Sequence, residues 1–202
     1  MLRLYTNPMS RGRIARWMLE ETGQAYETIL LDYATTMKGA EYLALNPMGK
    51  VPTLIHDDRV ITECPAICTY LAETFPKAGL QGDDRASFLR WMFFAAGPLE
   101  AAVTNRALGV EIPDDKTPFV GYGNYDMVLD TLEKALNDRE WLGGDGFSAV
   151  DLFLGAQVIF GLQFKTLPER TAFTRYRDRL ISRPAYQRAT ATDDALMPKD
   201  DA

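Results

Sequence analysis

The sequence predicts an α/β domain followed by an all-helical domain. Strand-like and helix-like segments alternate over residues 1–76, whereas only helical patterns occur over residues 85–202. The segment between them, residues 77–84, contains two glycines and is typical of a linker. We therefore expect the domain boundary to fall inside this segment.

The first three elements form a β-α-β unit. Alternating leucines predict a strand over residues 1–6. The helix that follows begins near Ser10, carries apolar residues at helical spacing and ends at Gly23. Residues 27–32 form the second strand, which a right-handed crossover pairs in parallel with the first.

The remaining elements of the first domain complete one fold. Residues 36–45 predict a short, irregular helix. Residues 51–56 and 59–62 are strands joined by Asp57-Asp58, so they form an antiparallel hairpin. A helix over residues 64–75 has a proline in its first turn. The order β-α-β, connecting helix, β-β-α is that of a thioredoxin-like fold.

The second domain is predicted to contain four helices, over residues 86–106, 124–137, 148–164 and 172–182. Ser148 and Asp151 have the spacing of a capping box at the start of the third of these helices. Residues 193–202 are polar and acidic, and they predict a frayed tail.

Composition excludes several functional classes. The 202 residues are 47% hydrophobic, which is average for a globular protein with a substantial core. Lys and Arg total 22 against 28 Asp and Glu, and this net charge of −6 argues against a nucleic-acid partner. The longest apolar run, Leu152–Phe164, is too short to cross a bilayer, so no membrane partner is expected.

Few residues are available for ionisable or metal chemistry. His56 is the single histidine, which excludes metal sites that need several. Cys64 and Cys68 cannot form a disulfide framework, and charged residues near the start leave no signal peptide. We therefore expect a cytoplasmic protein without a metal site. If it is an enzyme, its chemistry comes largely from a cofactor or cosubstrate.

The first helix places its charges against its own dipole. Arg11, Arg13 and Arg16 lie in its first two turns, and Glu20 and Glu21 lie near its end. One interpretation is that the helix start faces an anionic ligand. The alternative is a solvated face with an ion pair between Arg16 and Glu20.

Two further positions are candidates for ligand binding. Ser10 sits where a helix cap belongs, and its O–H could donate to a thiolate or another anion, although a plain cap is the alternative. Pro52 interrupts a strand, which predicts a cis bond or an exposed edge. Val51 before it would then offer its backbone to an extended peptide-like ligand, unless the segment is an ordinary edge strand.

Cys64 falls at the start of the third predicted helix. Unpaired N–H groups there suit a carboxylate, and a thiol at this position can have a lowered pKa. The alternative is a buried and inert thiol.

Taken together, these segments resemble the cytosolic glutathione S-transferase family over nearly the whole chain. The strongest match is Asn46–Leu54 followed by Ile61–Ile67, and Ser148–Asp151 and Ser182–Tyr186 follow in the same order. The resemblance implies a cytoplasmic, homodimeric enzyme of detoxification. Glutathione would be its cosubstrate, with no other cofactor, and a small hydrophobic electrophile would be its second substrate.

The resemblance also implies that six residues bind glutathione: Lys38, Lys50, Val51, Pro52, Glu63 and Cys64. The backbone of Val51 would pair with the cysteinyl part of glutathione, next to a cis Pro52. Glu63 and Cys64 would bind the γ-glutamyl end, and the two lysines would lie near the carboxylates. Position 64 departs from the family, which usually has serine there.

Ser10 is similar in position to the serine that hydrogen-bonds the glutathione sulfur in theta-like and zeta-like members. Tyr5 is the alternative donor, as in the tyrosine classes, and ranks second because it lies on the first strand. Either hydroxyl would lower the thiol pKa, and the thiolate would attack the electrophile. Two other functions stay open: a non-catalytic binding protein of this fold, and a glutathione-dependent peroxidase or disulfide reductase.

Overall fold

The computed structural model describes residues 1–197, which fold into two compact units. The first unit comprises Met1–Leu80 and the segment that begins at Ser182, and the second comprises Gln81–Ile181. The chain therefore returns to its first unit at Ser182. The predicted limits of 1–76 and 85–202 instead assign this last segment to the second domain.

A four-stranded mixed sheet forms the centre of the first unit. Its strands are β1 (Leu2–Thr6), β2 (Tyr26–Leu30), β3 (Thr53–His56) and β4 (Arg59–Thr62), in the order β2-β1-β3-β4. β1 pairs with β2 in parallel and with β3 antiparallel, and β4 is antiparallel to β3. This topology confirms the predicted thioredoxin-like fold.

Nine α-helices occur within the described residues: α1 (Gly12–Thr22), α2 (Ala40–Leu45), α3 (Cys64–Thr74), α4 (Arg85–Phe94), α5 (Glu100–Ala107), α6 (Tyr125–Asp138), α7 (Ala149–Gln163), α8 (Thr171–Ile181) and α9 (Pro184–Ala195). The predicted irregular helix over residues 36–45 is a 3₁₀ turn at Thr36–Lys38 followed by α2.

The two faces of the sheet are buried by different sets of residues. Leu2, Leu4 and Thr6 alternate with half-buried residues along β1 and are themselves buried. α1 packs against β1 and α3. A separate cluster contains Leu31, Met37 and Tyr42.

α9 corrects the prediction of a frayed tail over residues 193–202. The helix continues to Ala195, and Asp193 in its last turn is fully buried. The buried residues Ala185, Ala189 and Asp193 recur every four positions, which places one narrow stripe of α9 against α1. Residues 198–202 of the predicted tail lie outside the described residues.

The second unit is helical. The single helix predicted over residues 86–106 is interrupted by a π-helical turn at Ala95–Leu99, where Pro98 lacks the N–H that a regular helix needs. The predicted capping box is present: the Ser148 side chain accepts from the backbone N–H of Asp151, and the Asp151 carboxylate accepts from the Ser148 N–H at 3.0 Å. Among the described residues, every helix is too short or too polar to span a lipid bilayer.

Candidate functional site

The sheet register brings the predicted site residues to one edge of the sheet. Thr6 pairs with Leu30, and Thr53 pairs with both Tyr5 and Thr62. The ends of β1, β2 and β4 therefore lie beside the start of β3. The loops that carry Ser10, Lys38, Val51 and Glu63 leave from these points, and such strand ends are where open α/β sheets bind ligands.

Ser10 lies in the loop between β1 and α1. Its hydroxyl donates to the Asn7 carbonyl at 2.6 Å and accepts from the Gly12 N–H at 2.9 Å. Ser10 thus satisfies the first N–H of α1 although Arg11 is the residue that precedes the helix. Its O–H must turn away from the Asn7 carbonyl before it can donate to a ligand.

Asn7 fixes the shape of this loop. Its amide group donates to the Leu31 carbonyl at 2.8 Å, and its side-chain oxygen accepts from the Met9 N–H at 2.9 Å. The loop before α1 is thereby tied to the chain that follows β2. No local sequence pattern indicates the bond between Asn7 and Leu31, because the two residues lie 24 positions apart along the chain.

Tyr5 and Ser10 lie on different sides of the sheet. The Tyr5 ring is 5.7 Å from that of Tyr42 and packs on the Leu31–Met37–Tyr42 cluster. Thr6, the next residue, faces the start of α1, since a Cβ atom at Gly12 would lie 1.9 Å from its hydroxyl oxygen. Successive strand residues point to opposite faces, so Tyr5 points away from Ser10.

The segment before β3 is held by two side chains that sequence reasoning did not assign. Tyr42 donates to the Lys50 carbonyl at 2.6 Å, and the Asn46 amide donates to the same carbonyl at 2.8 Å. The Tyr42 oxygen also lies 2.8 Å from the hydroxyl of Thr53. Burial raises the pKa of Tyr42, so its hydroxyl keeps its proton to a higher pH than that of an exposed tyrosine.

The Val51–Pro52 peptide bond is cis, which is one of the two alternatives that the sequence leaves open at Pro52 and the one that the family resemblance implies. Within residues 1–197, neither the amide nor the carbonyl of Val51 has a hydrogen-bond partner. Both lysines of the predicted site are exposed, and the Lys38 ammonium donates to the Gly49 carbonyl at 2.7 Å. Lys38 therefore braces the loop that presents Val51.

Glu63 and Cys64 follow β4 directly. Glu63 is exposed and has a φ of 66°, a conformation that L-residues rarely adopt. Cys64 is buried at the start of α3, and its thiol donates to the Arg11 carbonyl at 3.6 Å. The N-termini of α1 and α3 thus lie side by side, which favours a negatively charged group between them.

Cys68, the second cysteine, is buried in the core. Burial raises the pKa of the Cys68 thiol well above its ordinary value, and the neighbouring Cys64 adds to this effect. Cys68 is therefore an inert core residue. Among the residues that the structure describes, no three metal-binding side chains cluster together.

The charges of α1 follow neither interpretation drawn from the sequence. The described structure pairs four of them with α9: Arg13 with Asp194, Arg16 with Asp193, Glu20 with Arg188 and Glu21 with Arg183. The Arg16–Asp193 pair is fully buried, with an N–O distance of 2.8 Å. The charge pattern of α1 is thus complementary to that of α9 and does not itself indicate an anionic ligand.

Comparison with protein families and curated proteins gives one consistent set of matches. Residues 1–73 match the model described as "Glutathione S-transferase, N-terminal domain". Glutathione S-transferase GST-4.5 of Xanthomonas campestris pv. campestris is 32% identical over 164 residues, which cover 76% of this chain and 79% of the relative. Glutathione S-transferase hmp2 of Hypomyces subiculosus is 30% identical over 210 residues, or 95% and 98% of the two chains.

Solved structures agree with these matches. A glutathione transferase from Methylococcus capsulatus str. Bath has a TM-score of 0.78 and 27% identity, over 96% of this chain and 100% of that one. A theta class glutathione S-transferase from Xanthomonas axonopodis pv. citri, solved with glutathione bound, has a TM-score of 0.76 and 29% identity. That alignment covers 97% of this chain and 99% of the other.

Proposed function

Because the chain belongs to the glutathione S-transferase family, we propose that the Ser10 edge of its sheet binds glutathione and activates its thiol. The thiolate attacks a small hydrophobic electrophile, and the product is a glutathione conjugate. The observation that carries this proposal is the convergence of a hydroxyl, two helix N-termini and the unpaired backbone of Val51 at one edge.

Glutathione is a short peptide, and the site offers a matching group for each of its parts. The amide and carbonyl of Val51 pair with the backbone of the cysteinyl residue, as an added strand would. Glu63 binds the γ-glutamyl ammonium group, and the start of α3 at Cys64 receives its carboxylate. Lys50 lies on the loop beside this backbone, Lys38 reaches the same loop at the Gly49 carbonyl, and both attract the carboxylates.

Ser10 is the group that we assign to thiol activation. The Gly12 N–H already donates to its oxygen, which polarises the hydroxyl and makes it a better donor. Turning the O–H from the Asn7 carbonyl toward sulfur stabilises the thiolate over the thiol and lowers the thiol pKa. Tyr5 faces the opposite side of the sheet and is assigned to packing.

Ser10→Ala tests this assignment. We expect the pKa of bound glutathione to rise by roughly one to two units, since a hydrogen bond to a charged group contributes about 1.5–3 kcal/mol. The maximal rate should fall with little change in glutathione affinity. Thiolate absorbance of the bound cosubstrate against pH is the measurement, and Tyr5→Phe is the control. If the pKa of bound glutathione rises in Tyr5→Phe but not in Ser10→Ala, Tyr5 is the residue that activates the thiol.

The same purified protein separates the competing functions. Retention on immobilised glutathione without turnover of any electrophile would indicate a binding protein. Turnover of hydroperoxides or disulfides, but not of aryl halides, would indicate a glutathione peroxidase or disulfide reductase. Conjugation of aryl halides supports the transferase.

Other assignments follow from family membership. We infer a cytoplasmic homodimer that uses glutathione as cosubstrate and needs no further cofactor. Analytical ultracentrifugation of the full chain tests the dimer, and activity after exhaustive dialysis against a chelator tests the cofactor assignment. A monomer, or activity that requires an added cofactor, would contradict the respective inference.

A further inference from the structure

Arg13 connects the last helix to the loop that carries Ser10. Its Nε donates to the Pro8 carbonyl at 2.6 Å, and its Nη2 donates to Asp194 of α9 at 2.8 Å. One guanidinium group therefore holds both a carboxylate on α9 and a backbone carbonyl two residues before Ser10. Because the guanidinium is planar and rigid, the position of Asp194 constrains the position of Pro8.

The Pro8 carbonyl lies within the segment that orients the Ser10 hydroxyl. The acceptor of that hydroxyl is the carbonyl of Asn7, the residue directly before Pro8. Asn7 is anchored from the β2 side by its bond to Leu31, and Arg13 supplies the anchor from the α1 side. Loss of the second anchor leaves the direction of the Ser10 hydroxyl less well defined.

Two further ion pairs fix the position of α9 relative to α1. Arg16 and Asp193, one residue before Asp194, form a buried ion pair in which each side chain is 1% exposed. Directly before α9, the Nε and Nη2 groups of Arg183 donate to the two carboxylate oxygens of Glu21, at 2.6 and 2.8 Å. Asp194 therefore occupies a set position relative to α1 and is not merely a mobile surface carboxylate.

We propose that Arg13 and Asp194 are positioning residues for Ser10, so that the C-terminal helix sets how strongly the site activates the glutathione thiol. This inference rests on the proposed role of Ser10. Neither residue touches the sulfur; both act through the Pro8 carbonyl and the loop. The variants Asp194→Asn and Arg13→Lys weaken the bridge in different ways.

Whether the thiol pKa of bound glutathione rises or falls distinguishes a positioning role from a purely electrostatic one. Removal of a negative charge at Asp194 favours a nearby thiolate, so electrostatics alone would lower the thiol pKa. Loss of positioning weakens the Ser10 hydrogen bond and raises the thiol pKa. Arg13→Lys keeps the positive charge but loses the fork that reaches Pro8 and Asp194 together, so a rise in this variant reports geometry.

The experiment measures thiolate absorbance of bound glutathione against pH in the full chain. In Asp194→Asn and Arg13→Lys we expect the thiol pKa to rise by about 0.5–1 unit, about half the shift expected for losing the Ser10 bond entirely. The maximal rate near neutral pH should fall roughly three- to tenfold, with KM for glutathione changed less than about twofold. Asp194 is 59% exposed, so its asparagine variant is expected to fold.

Arg188→Gln is the matched control, because it breaks a comparable exposed α1–α9 pair, with Glu20, at 3.1 Å and far from the loop. It should leave the thiol pKa unchanged. An unchanged or lowered pKa in Asp194→Asn, or a rise of equal size in Arg188→Gln, overturns the proposal.

A double mutant cycle distinguishes this failure from failure of the proposed function. If Arg13 and Asp194 act through Ser10, Asp194→Asn should raise the thiol pKa no further in the Ser10→Ala background. A further rise there means that the bridge acts by another route, and the positioning role is wrong. If Ser10→Ala alone leaves the thiol pKa unchanged, the Ser10 assignment and this inference are both wrong.

Discussion

Gly12 is the residue whose identity the site constrains most tightly. A Cβ atom at this position would lie 1.9 Å from the Thr6 hydroxyl oxygen and 2.9 Å from that of Ser10. Thr6 is fully buried, so it has no space into which to move. The glycine is required here because two hydroxyls crowd the start of α1.

Gly12→Ala should therefore cost stability and activity together. We expect the free energy of unfolding to fall by roughly 1–3 kcal/mol, the usual cost of overpacking, with displacement of the Ser10 hydroxyl. Urea unfolding and the conjugation rate are the measurements. Gly97→Ala is the control, since its Cβ would meet nothing within 4 Å. An equal loss in both variants would show that crowding is not the cause.

At Cys64 the relevant question is whether sulfur has a role of its own. Its thiol is a weak donor and reaches the Arg11 carbonyl at 3.6 Å. Cys64→Ser keeps a donor at the start of α3 and should preserve or improve glutathione affinity. Isothermal titration of the variant with glutathione measures this, with Cys68→Ser as the buried comparison. A large loss of affinity at position 64 would assign a specific role to the thiol.

The element that sequence reasoning missed is α9, and the cause is physical. Its interior face consists of small residues and Asp193 rather than a recognisable apolar stripe. The partner that makes Asp193 a buried residue is Arg16, which lies 177 positions away along the chain. No local pattern indicates such a pair, whereas α1 and α3 have buried apolar faces that the sequence reveals.

Together, α1 and α9 explain an arrangement that neither helix explains alone. Both helices have basic residues at or near the start and acidic residues near the end, an arrangement that the helix dipole disfavours. Their antiparallel pairing matches Arg13 and Arg16 with the end of α9, and Glu20 and Glu21 with its start. The unfavourable dipole terms are offset by charge complementarity between the helices.

Loss of one buried partner should be the costly change in this interface. Arg16→Met leaves Asp193 buried and unpaired, and should lower the free energy of unfolding by about 3–5 kcal/mol. Arg188→Gln, which removes a more exposed pair, should cost less than about 1 kcal/mol. Urea unfolding compares the two. The double change Arg16→Met with Asp193→Leu should recover most of the loss.

Similar decreases in the free energy of unfolding for Arg16→Met and Arg188→Gln would contradict this difference between the buried and the exposed pair. So would a double variant that is no more stable than Arg16→Met, because the cost would then come from packing rather than from the unpaired carboxylate.

On the scale of the whole molecule, four tyrosines make the stability of the fold depend on pH in the alkaline range. Burial raises the pKa of Tyr26 to about 12, and it raises the pKa values of Tyr42, Tyr125 and Tyr176 above the ordinary 10.0. The unfolded chain loses these protons near the ordinary value while the folded chain keeps them. Stability must therefore fall as pH rises above about 10.

Chemical unfolding at a series of pH values from about 8 to about 11 checks this dependence. Tyr26→Phe should give a shallower decline, because it removes one proton that the folded state retains. A decline of the same slope in the variant would show that Tyr26 does not contribute to it.

Much of this architecture was predictable because its signals are local. The strand and helix order of the first unit, the cis Pro52 and the capping box at Ser148 each arise within a few residues of one another. The contacts of Tyr42, Asn7 and Asp194 were not predictable, since each of these side chains meets a partner that only the fold brings close. The roles of Ser10 and the glutathione-binding residues stay predictions.

The return of the chain to its first unit at Ser182 has a consequence for synthesis. A ribosome makes the β-sheet and α1 early, yet the counter-charge for Arg16 arrives 177 residues later. Until then the growing polypeptide holds an arginine whose native carboxylate has not been translated. The first unit can therefore reach its final packing only after the second has been made, which reverses the usual order of domain completion.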